Sequence, residues 1–132
     1  MKKIIPLTAP ILFLAFGFFL IGQALPKSLM DQWEDVESEI KKGLPKTAIE
    51  KIDPLIKQAL KDGSHAVAIR AICQKINLEG AIQGNKAEEK IARLEEEITK
   101  APEALKPMMR AVLSNWYWQY FQQNRWRFAQ RT

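Results

Sequence analysis

The stretch "SLMDQWEDVESEIKKGLPKTAIEKIDPLIKQALKDGS", residues 28–64, decides the fold. Leu29, Trp33, Val36 and Ile40 fall at spacings of 4, 3 and 4, which is one stripe of an α-helix. Ser28 and Asp31 have the spacing of a capping box at its start. Gly43, followed by Pro45, marks its end after Lys42. A second helix over residues 46–61 carries Ala48, Ile49, Ile52, Leu55, Ile56 and Ala59 on one side. Pro54 falls inside that pattern; it removes one backbone hydrogen bond and is expected to kink the helix. Asp62-Gly63 closes it.

The same reading extends down the chain. Ser64 is expected to cap a third helix with the stripe Val67, Ile69, Ile72, Cys73 and Ile76, loosened at its end by Gly80, Gly84 and Asn85. A fourth, over residues 86–100, has Ala87, Ile91, Leu94 and Ile98 on one face and charged residues on the others. Pro102 and Pro107 interrupt the chain, and a fifth helix starts near Pro107, where proline suits the first turn. "AIEKIDPL" (48–55) matches "AEEKIARL" (87–94), and "IRAIC" (69–73) matches "MRAVL" (109–113), at nearly equal offsets. That period is typical of helical-repeat arrays. The expected architecture is therefore all-α: a signal helix, then about five antiparallel helices stacked as helical hairpins, in a repeat-like solenoid or bundle.

Before this region lies "MKKIIPLTAPILFLAFGFFLIGQALPKS". Lys2 and Lys3 form a basic start, residues 11–22 a dense apolar core, and Gly22-Gln23-Ala24 a small-residue cleavage site. Residues 1–24 read as a signal peptide cut after Ala24, leaving residues 25–132 as a helical domain exported to the periplasm or beyond the cell. The alternative is a retained anchor, because residues 4–26 carry no charge and are long enough to span a bilayer. Contact with a membrane is expected only in that case. No cysteine stands near the cut, so a lipoprotein is excluded. The one cysteine, Cys73, allows no internal disulfide and reads as a buried, inert thiol on a helical face.

The closing tract "SNWYWQYFQQNRWRFAQRT", residues 114–132, holds three of the four tryptophans, both tyrosines and two of the six phenylalanines. Met109, Val112, Leu113, Trp116, Tyr117, Tyr120 and Phe121 recur at helical spacing and are expected to face the core. Trp118 points away from that face, and Trp126 and Phe128 extend the aromatic surface. Each such ring covers ~150–250 Å². Three left bare would expose about 450–750 Å², at or above the ~300–600 Å² of a monomer's usual largest apolar patch. An end cap of a repeat array should be polar, and this tract is not. The expectation is that other material packs on this side: later domains of the same polypeptide, of which this chain would be the N-terminal part, or a protein partner. Trp118, Arg125, Trp126, Arg127 and Phe128 are the candidate interaction residues.

Trp33 in the first helix, Leu44-Pro45-Lys46-Thr47-Ala48 opening the second, and the terminal "WYWQYFQQNRWRFAQRT" resemble the N-terminal helical region of bacterial alpha-2-macroglobulin-like proteins, also described as large extracellular α-helical proteins. The resemblance spans residues 33–132, and the terminal tract is its specific part. It implies a long exported protein of the protease-trap or envelope-defence type, with macroglobulin domains, a bait region and, in some members, a thioester from a Cys-Gly-Glu-Gln-like motif. Here Cys73 is followed by Gln74-Lys75, so neither thioester nor bait region can be assigned to this chain. What the resemblance carries over is location, partnership and a scaffold role.

Other chemistries find little support. The net charge of +5 is spread unevenly: +3 in residues 1–30, −2 in 31–63, zero in 64–100 and +4 in 101–132. There is no basic face along the body, and three arginines near the end, with an export signal at the start, do not make a nucleic-acid interface. An amphipathic membrane-surface helix is a further reading of the same Arg/Trp-rich end. His65 has no second ligand at metal spacing, and Glu95, Glu96 and Glu97 read as a solvated helical face. No phosphate loop, nucleophile elbow or HExxH motif occurs. The sequence thus points to a non-enzyme without cofactor or metal. It is read as a helical scaffold or docking segment of the exported protein or, alternatively, as a small exported or membrane-anchored adaptor that binds a partner through its last helix.

Overall fold

A computed structural model describes residues 27–130, so the signal segment expected over residues 1–24 lies outside the described residues. Five α-helices follow one another: α1 (Leu29–Lys41), α2 (Pro45–Lys61), α3 (His65–Ile82), α4 (Ala87–Lys100) and α5 (Lys106–Ala129). The described residues contain no strand.

Local chemistry sets the boundaries. Ser28 Oγ accepts from the Asp31 N–H (3.1 Å) and Asp31 Oδ2 accepts from the Ser28 N–H (3.3 Å), which completes the capping box. α1, α2 and α3 end alike: the N–H groups of Leu44, Ser64 and Asn85 reach back to the carbonyls of Glu39, Ala59 and Gly80. This closure needs a left-handed residue at the turn, supplied by Gly43, Gly63 and Gly84 at φ +73°, +68° and +103°. Ser64 occupies the N-cap position of α3, but its hydroxyl makes no capping bond. α2 runs unbroken through Pro54, which is exposed.

Each helix packs on the next in sequence. Gln32 meets Gln58, and Glu39 meets Lys51, which sets α1 on α2. Two apolar clusters result, and α3 belongs to both. Trp33, Val36, Ala48, Ile52 and Leu55 pack with Ala71 and Leu78 of α3. Ile69, Ile72 and Ile76 of α3 pack with Leu94, Ile98, Leu105 and Met109. A helix buried on two sides does not gather its apolar residues into one stripe; α3 buries seven residues, short ones such as Ala68, Ala71 and Gly80 among them, while Arg70 and Asn77 stay exposed. At Gly80 a Cβ would come within 2.7 Å of the Lys90 side chain, so the stem of that lysine lies directly on the α3 backbone. Cys73 is half-buried, and desolvation pushes its thiol pKa up, as fits an unreactive cysteine.

Two polar groups are drawn into this packing. The Arg70 guanidinium sits 4.0 Å from the Trp33 ring centre, and the Trp33 indole N–H donates to Glu37 (2.6 Å). Glu39 is buried and accepts from Lys51 (2.7 Å) and Lys42 (3.2 Å). These two ammonium groups, Lys51 first, hold its carboxyl below the usual carboxylate range.

Candidate interaction surface on the last helix

α5 has 24 residues and is about 36 Å long at 1.5 Å per residue, against about 21 Å for the 14 residues of α4. Its first half is held by the second cluster: Met109 is fully buried, and Val112, Leu113 and Trp116 pack partly against it. Two tyrosines then set its height on α4. Tyr117 Oη donates to Glu95 (2.6 Å), and Tyr120 Oη donates to Glu88 (2.7 Å), in the first turn of α4. The Tyr117 hydroxyl pKa is raised, chiefly by Glu95, and the Glu88 carboxyl is lowered, chiefly by Tyr120. Past that point α5 runs beyond the start of α4, and every residue from Arg125 to Gln130 is exposed.

Two of the seven residues expected in the core are therefore not there. Tyr117 is 46% and Phe121 is 40% exposed. The helical spacing was right, but α4 covers too narrow and too short a strip of α5 to shield them. Met109 alone among the residues of α5 counts as buried.

Of the five candidate interaction residues, the structure brings three together. Trp118, Arg125 and Phe128 lie on one stripe of α5, joined by Phe121, Ser114 and Arg110; positions 110, 114, 118, 121, 125 and 128 recur every three or four residues. The rings are in contact. Trp118 stacks on Phe121 (centroids 5.8 Å apart) and Phe121 on Phe128 (5.7 Å), while Tyr120 meets Phe128 edge-on (6.4 Å). Trp118 nevertheless remains 59% exposed. Arg125 makes no hydrogen bond or ion pair among the described residues. Arg127 belongs elsewhere: it donates to Asn124 (3.3 Å) and its charge acts on Glu88, which places it toward α4. Trp126, 64% exposed, occupies a different side of the helix from the stripe. Phe121, Arg110 and Ser114 are the members that sequence reasoning missed. Phe121 also fits the inward pattern, and Arg110 joins the stripe only once the far side is known to be bare.

Elsewhere many surface charges are paired. The groove over α3 between α2 and α4 is crossed by ion pairs of Lys75 with Asp53 (2.7 Å) and of Arg93 with Glu97 (3.3 Å) and Glu79 (3.8 Å). Among the described residues no group of His, Cys, Asp and Glu side chains is placed to hold a metal ion, and no helix is long and apolar enough to cross a membrane. Comparison with protein-family models, with curated proteins and with solved structures gives no match.

Proposed function

We propose that this chain is a non-catalytic helical scaffold, exported after removal of residues 1–24, that docks protein through the uncovered face of α5. In this reading the helices stack as successive hairpins, and α5 offers the surface on which later domains of the same polypeptide, or a partner, continue the stack. The observation that carries the proposal is the stacked ladder Trp118–Phe121–Phe128, left in solvent on a helix with a single buried residue. α1 supports it by contrast. Its exposed residues include Asp31, Glu34 and Lys41, the polar outer face of an end cap. The burial pattern supports a repeat as well: Ile52 and Leu55 of α2 are buried, and so are Ile91 and Leu94 at the matching positions of α4. The wider assignment, to the N-terminal helical region of an alpha-2-macroglobulin-like protein, rests on the resemblance of Trp33, the Leu44–Ala48 segment and the terminal aromatic tract.

Sedimentation of purified residues 25–132 tests the docking face. The uncovered rings are expected to drive concentration-dependent self-association, and the triple variant Trp118→Lys, Phe121→Lys, Phe128→Lys is expected to be a monomer of unchanged helix content. A wild-type chain that stays monomeric throughout the micromolar range overturns the reading. N-terminal sequencing of the exported protein tests the location, with Leu25 expected as the first residue.

A further inference from the structure

From the charge pattern on α5 we infer the chemistry of what binds there: an amphipathic α-helix of a partner protein, with an apolar centre and a carboxylate toward each end. The inference rests on the docking reading above and adds the partner's character. α5 contains Lys106, Arg110, Arg125 and Arg127 and no acidic residue. On the exposed stripe, Arg110 and Arg125 bracket Trp118 and Phe121. Fifteen residues of helix separate the two arginines by about 22 Å. A complementary helix therefore needs apolar side chains over its middle turns and acidic ones about 22 Å apart, opposite the two guanidinium groups.

The protein already seats one amphipathic helix on α5 through acidic anchors, two glutamates seven residues and about 10 Å apart. α4 lays Ile91, Leu94 and Ile98 into the core and offers Glu88 and Glu95, one to each tyrosine of α5. The inferred partner uses the same kind of contact on the opposite side over a longer span, with arginines in place of tyrosines as the polar anchors. A second copy of this chain can cover the rings only as the weak self-association expected above, and is not the fitted occupant. Pairing two α5 helices brings Arg110 and Arg125 against their own kind, and the acidic α1 exposes Met30 as its only large apolar side chain. A lipid surface also fits poorly, because a helix lying in a membrane gathers its apolar residues on one side, whereas Trp126 and the stripe face different directions.

The test uses two helical peptides of about eighteen residues with the same central leucine stripe. One carries glutamates in its first and last turns, and the other carries lysines there. Binding to the purified protein is followed by peptide anisotropy at low ionic strength. The glutamate peptide is expected to bind at least tenfold more tightly, to lose that advantage in high salt, and to dissociate any self-associated protein. Arg110→Glu with Arg125→Glu is expected to reverse the preference, with circular dichroism unchanged. Equal binding of both peptides, weakened alike by Trp118→Ala, overturns the acidic partner and leaves the docking face standing. Failure of both peptides overturns the partner helix, as does self-association that survives saturating peptide. Capture of the protein by phosphatidylglycerol vesicles but not by the glutamate peptide does so in favour of a membrane.

Discussion

Glu39 shows how one residue can tie pH to stability. Its carboxylate is buried between Lys42 and Lys51, and their bonds favour the ionised form, so its pKa is lower in the folded chain than in the unfolded one. The contribution is then fully present above the ordinary glutamate value of about 4.3. It disappears as the pH falls from there through the depressed folded value. Urea unfolding between pH 7 and pH 3 should show this directly. Glu39→Gln is expected to lower the unfolding midpoint at pH 7 and to flatten its fall on acidification. Parallel curves for the two proteins would remove Glu39 from the account. The lysines alone did not reveal this arrangement, because Lys51 reaches Glu39 only through the packing of α2 on α1.

At the scale of the element, α5 changes character along its length, and its substitutions should follow. Met109→Ala empties a fully buried site and is expected to cost about 2–5 kcal/mol. Trp116→Ala, at a half-buried ring, should cost less than the ~3–5 kcal/mol of a fully buried aromatic. Trp118→Ala should stay within about 0.5 kcal/mol, as for an ordinary surface change. Denaturant unfolding of the three variants gives the order, and a Trp118→Ala cost equal to that of Met109→Ala would mean the stripe is covered. The helices themselves were legible in the chain. The 4, 3, 4 spacings, the turn glycines and the prolines placed both ends of α1, α2 and α4 and the starts of α3 and α5 within a residue or so, because these signals are local. What local patterning does not contain is which side of a greasy helix meets a neighbour. α3 has no single apolar stripe because two clusters claim it. α5 also lacks a single stripe but has only one cluster to satisfy, so Tyr117 and Phe121 were indistinguishable from core residues until α4 was seen to cover so narrow a strip of it.

For the whole molecule, neighbour-to-neighbour packing makes α3 the shared wall of both clusters. Stability in such an arrangement is a sum of local interfaces, and opening spreads from the least supported end. Hydrogen exchange should therefore be slowest along residues 69–78 and fastest along residues 121–129, with α1 and α2 between. Uniform protection across α5 would contradict the picture of a half-supported helix. Binding of a partner on the stripe should slow exchange in the distal half of α5 and leave α3 unchanged, since α3 is already buried on two sides.

Three of the four indoles divide along the same line. Trp33 is shielded beneath the Arg70 guanidinium, whereas Trp118 and Trp126 stand in water. The protein thus carries two optical reporters with different addresses. A soluble quencher should dim the outer pair first, and a ligand seated on the aromatic ladder should protect Trp118 while the signal from Trp33 stays constant as an internal reference.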